Sequence, residues 1–252
     1  MVHVAYFTDP LCPWSWGAEP QLRRLEVEFS DQVAITYVMA GMSREIEADA
    51  KLASTLDVVA ETGMPADPRL WLQHPPRSSY PACLAVKAAG EQGLDGPYLR
   101  RLREGAMLGR ERLDNAEAFL GAARDVPALD LDRFEVDLRS DAIAELFGAD
   151  RERSLASCGN DERPALPAFS VESADPVGRK DLRPSVLAVG AQAGPLPTPE
   201  EALRRFGSMA AAEVAEVCGL PAIRARVELW RLAAEFRVRP RVHVFGELWV
   251  VS

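Results

Sequence analysis

The stretch VHVAYFTDPLCPWSWG, residues 2–17, decides how this chain is read. Its first seven residues, VHVAYFT, form a short apolar run rich in β-formers, which predicts a strand. Asp9-Pro10-Leu11-Cys12-Pro13 follows as a turn. A helical pattern then continues to about Phe29, with Leu22, Leu25 and Phe29 on one face among Arg23, Arg24, Glu26 and Glu28. Residues 33–39, VAITYVM, predict a second, largely buried strand. Strand, turn, helix, strand is the order of a β-α-β unit, which closes with a right-handed crossover in an α/β sheet.

Cys12 stands where thiolate chemistry is favoured. A cysteine directly after a strand and at a helix N-terminus meets unpaired backbone N–H groups and the positive end of the helix dipole, both of which stabilise S⁻ over S–H. Pro13 suits the first helical turn, where its missing N–H costs little. Ser15 is positioned along the helix to donate its hydroxyl hydrogen to the sulfur. Trp14 and Trp16 supply a hydrophobic rim fit for a peptide or an aromatic ligand. The plainer alternative is a small buried cysteine wedged between strand and helix.

From residue 45 to residue 156 the pattern is almost wholly helical. Leu99, Leu102 and Ala106 mark one amphipathic helix, Cys83, Val86 and Ala89 another, and the proline-rich PADPRLWLQHPP at 65–76 interrupts them. A sheet strand resumes at Ala168-Phe169-Ser170-Val171, so residues 45–156 read as a helical insertion within an α/β domain made of 1–44 and 157–195. Residues 172–198 look like a loop with one short strand near Val186–Val189. Beyond it, helices are expected over 199–207, 211–218 and 221–236, the last with Ile223, Val227 and Trp230 on one face. Val242-His243-Val244 and Leu248-Trp249-Val250 form a hairpin. Three helices and a hairpin describe a winged-helix-like module over 196–252.

Composition narrows the function. The 252 residues carry a formal charge of −9, which opposes a general polyanion-binding role. In residues 197–252 eight arginines and no lysine stand against seven glutamates, a net of +1 that is weak for tracking phosphates, so DNA binding is not expected. Packing against the α/β domain or homodimerisation is the expected role of that module. No apolar run nears the ~20 residues that span a bilayer, and no export signal precedes the first strand, so no membrane and a cytoplasmic location are expected. Cys12, Cys83, Cys158 and Cys218 lie too far apart for a disulfide framework or a zinc site. His3, His74 and His243 fit no metal or base arrangement, and phosphate-binding glycine loops are absent.

The run Asp9-Pro10-Leu11-Cys12-Pro13-Trp14-Ser15-Trp16-Gly17 resembles the active-site turn of the DsbA-like branch of the thioredoxin superfamily, nearest to the FrnE-type dithiol–disulfide isomerase group. Trp71 to Ala89, with Ser78-Ser79-Tyr80-Pro81-Ala82-Cys83, is similar to the insert helix that faces that turn. The resemblance covers residues 2–190 and implies a thioredoxin-like fold with a helical insertion. It also implies a cis proline before the third strand, for which Pro167, after Leu166, is preferred over Pro164, and a substrate groove formed by Pro13, Trp14, Trp16, Tyr80, Leu166 and Pro167. Redox members of the family carry a second cysteine three residues after the first; here Ser15 stands in its place. A mixed disulfide on Cys12 then needs an outside thiol for release.

Three readings follow. One is a monothiol oxidoreductase or isomerase, with Cys12 and Ser15 as its catalytic pair, a protein disulfide as substrate, and glutathione or another small thiol as co-substrate rather than a tightly bound cofactor. A second follows from resemblance to kappa-class glutathione transferases and 2-hydroxychromene-2-carboxylate isomerases, whose turn reads Ser-Pro-aromatic-Ser. The third is a non-catalytic thioredoxin-like adaptor.

Overall fold

The opening strand-turn-helix-strand unit is present in the computed structural model of the chain, which describes residues 1–157, 165–178 and 181–252. Strand β1 (Val2–Thr8) pairs in parallel with β2 (Val33–Met39), Val2 opposite Val33 and Thr8 opposite Met39. Strand β3 (Ala168–Val171), at the bounds expected from sequence, runs antiparallel on the other side of β1, so the order is β2-β1-β3. A central strand is covered on both faces, which is why β1 reads as a nearly continuous apolar run.

The single helix expected from the turn to Phe29 is two: α1 (Pro13–Gly17) and α2 (Glu19–Glu28). Pro20 explains the break. It has no N–H to give to the carbonyl of Trp16, and its ring would crowd that carbonyl in a continuous helix. As the second residue of α2, within its first turn, the same proline costs little.

The insertion comprises α3 (Ala48–Thr62), α4 (Arg69–Gln73), α5 (Tyr80–Gly90), α6 (Asp95–Met107), α7 (Ala116–Ala123), α8 (Leu131–Leu138) and α9 (Asp141–Ala156). Cys83, Val86 and Ala89 of α5 and Leu99, Leu102 and Ala106 of α6 are buried together, as their spacing implied. The alanines of α5 let α6 approach closely, and Tyr98 and Phe134 fill the space beyond. After β3, the strand expected at Val186–Val189 is instead a helix, α10 (Arg183–Ala188). Pro184 starts it, and Leu182 and Val186, four residues apart, bury one face against Val4, Phe29 and Phe169. Strand-like pairing occurs earlier, where Val177 and Phe169 exchange backbone hydrogen bonds of 2.8 and 2.9 Å. Cys158 and Pro164 lie outside the described residues.

The C-terminal module runs α11 (Pro199–Phe206), β4 (Ser208–Ala210), α12 (Ala211–Cys218), α13 (Ala222–Ala234), β5 (Val238–Val242) and β6 (Glu247–Val251). A capping box between Thr198 and Glu201 starts α11. The hairpin is present, and β4, which is too short to show a period in the sequence, extends it to a sheet of order β4-β6-β5. Helix α13 buries Ala225, Leu229 and Leu232 against Met209, Val238 and Trp249. Its other apolar face, Ile223, Val227 and Trp230, is turned to solvent, with Ile223 72 % exposed. The two faces share one spacing, and Trp230 at the edge of the exposed one packs edge-on against the buried Trp249 at 5.0 Å. Arg224, Arg226 and Arg231 on this helix are in ion pairs with Glu228, Glu247 and Glu235.

A buried charge cluster joins the three parts. Arg103, wholly buried on α6, donates to Glu19 of α2, Thr8 Oγ1 and Tyr6 OH of β1. Arg100 pairs with Glu19 at 3.2 Å, Glu104 at 2.8 Å and Glu213 of α12 at 2.8 Å. Arg23 pairs with Glu213 at 3.0 Å and donates to the Ser208 carbonyl. Three guanidinium groups thus face three carboxylates. Burial opposes ionisation of Glu19, yet Arg103, Arg100 and Arg23 hold its pKa below the usual carboxylate value. Burial likewise opposes ionisation of Glu104, and Arg100 with the Ser208 hydroxyl still brings its pKa below the usual value. Among the described residues no helix is long and apolar enough to cross a membrane, and no group of His, Cys, Asp and Glu is placed to hold a metal.

Candidate functional site

Chain direction and two local bonds set the turn at the end of β1. Cys12 is the N-cap of α1, with extended dihedrals (φ −88°, ψ 114°), and its carbonyl accepts from the Ser15 and Trp16 N–H groups at 3.1 and 3.2 Å. Asp9 is buried beneath it. One carboxylate oxygen accepts the Leu11 N–H at 2.8 Å; the other accepts the Met42 N–H at 2.8 Å and the Ser79 hydroxyl at 2.6 Å. The ammonium of Lys51 on α3 donates to the Leu11 carbonyl at 3.0 Å. The insertion therefore holds the turn from two sides. The Asp9-to-Leu11 bond is a local Asx turn that the sequence motif Asp-Pro foreshadows. Ser79 and Lys51 lie 70 and 40 residues from their partners, and sequence reasoning missed their roles.

Cys12 itself is 2 % exposed and packs with Phe7, Val38, Ala40 and Leu166. Ser15 is fully buried, and its hydroxyl has no hydrogen-bond partner among the described residues, so it does not reach the sulfur as expected. Its carbonyl accepts the Tyr6 hydroxyl instead. Trp16 is not a rim residue: α1 turns it inward, where it is wholly buried, donates to the Pro65 carbonyl at 2.9 Å and lies under the Arg100 guanidinium. Cys83 does come to the turn. Its sulfur lies 3.7 Å from Asp9 Oδ2, and burial together with the Asp9 carboxylate pushes its thiol pKa well above the usual value. That thiol stays protonated near neutrality and is a poor resolving group.

The peptide bond between Leu166 and Pro167 is cis. Leu166 covers Cys12, while Pro167 and Trp14 line an open groove of about 660 Å³. Pro20 and Gln21 from α2, Glu61 and Thr62 from the end of α3, Asp181 ahead of α10, and Ala212 and Glu216 of α12 complete it. The C-terminal module is thus one wall of the groove. Of the residues expected to bind substrate, Trp14 and Pro167 line this groove, whereas Pro13 and Leu166 are buried beside Cys12. Tyr80 is elsewhere, packed edge-on against Phe147 at 5.3 Å with Arg151 over its ring. The aromatic contact with α9 draws it away from the turn. The hairpin tip is also anchored: Phe245 and Ala66 exchange backbone hydrogen bonds of 3.1 Å.

The family model described as thioredoxin matches residues 6–172. Two curated relatives are named ClpXP adapter protein SpxH. That of Shouchella clausii is 30 % identical, and that of Halalkalibacterium halodurans 27 % identical, each over 98 % of this chain and 88 % of the relative. Among solved structures, a putative protein disulfide isomerase from Nitrosomonas europaea superposes with a TM-score of 0.64 at 20 % identity, over 75 % of this chain and 96 % of that one.

Proposed function

This chain belongs to the thioredoxin family, as a DsbA-like fold with a helical insertion, and on that premise we propose that it is an adapter protein whose groove holds a polypeptide partner. The observation that carries the reading is an open groove beside a turn that lacks a working dithiol. Ser15 occupies the resolving position, Cys12 is covered by Leu166, and Cys83 is a buried, protonated thiol. Binding needs only the groove; disulfide cycling needs a second thiol and access to the first. The relatives named ClpXP adapter protein match nearly the whole chain, including the module that walls the groove. An exposed apolar face on α13 also suits a protein that works by contact.

The test is reconstituted degradation by ClpXP from the same source, with a client that co-purifies with this protein. Addition of the wild type accelerates loss of the client, and Cys12→Ala does so equally. No acceleration by either protein refutes the adapter reading.

The position of Cys12 at the N-cap of α1, next to Pro167, favours a second reading, a monothiol that exchanges with glutathione or another small thiol. On that reading the native protein forms a mixed disulfide with glutathione, and Cys12→Ala abolishes it. An unmodified Cys12 after incubation with oxidised glutathione removes this alternative.

A further inference from the structure

Helix α13 carries apolar residues on two faces, and only one of them is spent on the core. Ala225, Leu229 and Leu232 are buried in the module. Ile223, Val227 and Trp230 stay 72, 51 and 54 % exposed, and the exposed Ala234 completes their line at the C-terminal end. Among the described residues no other helix carries more than two exposed large apolar side chains. The steps along the line are four, three and four residues, the spacing of a seam by which two helices pack side by side. The line is about 16 Å long at the helical rise. Arg224, Glu228, Arg231 and Glu235 follow it in the same steps, on one side of it and alternating in sign. Within the chain these four pair along the helix: Glu228 with Arg224 and with Arg231, each at 2.8 Å, and Arg231 with Glu235 at 2.6 Å.

We propose that this face docks a second copy of the chain, with two α13 helices packed antiparallel about a two-fold axis at the level of Leu229. In that arrangement Ile223 comes opposite Ala234 of the second copy and Val227 opposite its Trp230, a larger side chain against a smaller one each time. On the flank, Arg224 comes opposite Glu235 and Glu228 opposite Arg231. All these matches fall within one residue's rise, about 1.5 Å, of level. A two-fold axis of this kind sets the same flank against itself, so the alternating charges meet opposite signs across it. The face is therefore complementary to itself in both its apolar steps and its charge order, the condition for an isologous dimer that closes at two copies. One short helix pair buries less than the roughly 800 Å² per partner of a standard interface, so the dimer is weak, half-formed at roughly 10–100 µM. The face shares no residue with the groove, which takes Ala212 and Glu216 from α12 instead. The proposal goes beyond the adapter reading and does not rest on it.

Sedimentation velocity of the full chain under reducing conditions, from about 2 to about 500 µM, reads the association. The wild type passes from monomer to dimer across that range. Val227→Glu sets a carboxylate in the seam and raises the dissociation constant at least about tenfold. Val227 is half exposed, so the variant folds, which circular dichroism checks. A second experiment sorts the charges. Glu228→Arg with Glu235→Arg makes the flank wholly basic, and Arg224→Glu with Arg231→Glu makes it wholly acidic. Each double variant alone stays monomeric, and the two mixed in equal amounts restore the dimer, which a merely structural role of these residues does not produce. A wild type that stays monomeric to about 500 µM overturns the proposal and gives the face to a different protein. A dimer that Val227→Glu leaves intact, or a mixture of the double variants that associates no better than either alone, overturns it as well. The degradation assay reads the other question: its failure refutes the adapter reading and leaves the dimer standing.

Discussion

Replacing Glu213 by alanine tests whether the C-terminal module is a structural part of the body rather than an appendage. The Glu213 side chain is fully buried and serves three partners: Arg23 at 3.0 Å, Arg100 at 2.8 Å and the Ala210 N–H at 2.7 Å. Its loss leaves Arg23, already disfavoured by burial and by Arg100, without its ion-pair partner and with only the field of Glu19 and Glu104, and it leaves Arg100 with Glu19 and Glu104 only. Removing one partner of a buried ion pair costs about 3–5 kcal/mol, because the remaining charge keeps its desolvation penalty. For a chain of this size each kcal/mol moves the melting temperature by about 2–4 °C, so a drop of roughly 6–20 °C is expected. Thermal unfolding followed by circular dichroism, with urea titration as a second measure, reads the loss. Glu213→Gln, which retains an acceptor for Ala210, loses less. Glu228→Gln on the solvent side of α13 is the control and changes little. A loss below about 1 kcal/mol, the range of a surface pair, refutes the argument. So does an early separate transition of the module alone in the wild type.

Three further outcomes follow from the same geometry. Glu19 and Glu104 have lowered pKa values in the folded chain, so their stabilisation is complete above the ordinary carboxylate range and is lost as pH falls through those lowered values; urea midpoints should fall steeply below about pH 4, and Glu19→Gln should flatten that slope. The Cys218 thiol is pushed up to about 11 by burial, and Cys83 also lies well above its usual value; both should resist alkylation at pH 8 in the native protein and react only on unfolding, and rapid native labelling of either contradicts the burial argument. Asp9→Ala strips acceptors from Leu11, Met42 and Ser79. With about 1–3 kcal/mol for each buried donor left unmet, it should destabilise the fold and increase hydrogen exchange at residues 9–12 and 40–43; unchanged exchange there counts against Asp9 as the anchor.

The sheet was legible from residues 2–39 and 168–171 because β1 and β2 are continuous apolar runs and the Asp-Pro-Leu-Cys-Pro turn breaks the pattern sharply. The insertion was legible as helix because its apolar residues recur at helical spacing over long stretches. What escaped was set by distant partners. Trp16 reads as an exposed aromatic until Pro65 and Arg100 are brought to it. Ile223, Val227 and Trp230 have the same spacing as Ala225, Leu229 and Leu232, and periodicity alone does not say which face meets the core. Val186 looked like a strand residue because a six-residue helix is too short to show its period. The groove was invisible because the residues that line it, Glu61, Asp181 and Glu216 among them, are 120 and 35 positions apart and meet only in the folded chain.

The buried cluster that joins α2, α6 and α12 has a consequence for how the protein is made. Arg23 and Arg100 leave the ribosome long before Glu213, and at about 5–20 residues per second the delay is roughly 6–40 seconds. Throughout that interval the nascent body carries guanidinium groups whose last carboxylate has not been synthesised. Those arginines cannot be sealed from water until α12 and its Glu213 have emerged, so the body completes this packing only then. A stop codon before Glu213 would then yield more than a shortened protein: it would leave the thioredoxin-like part with an unfinished interior, marked for removal by the cell's own quality control.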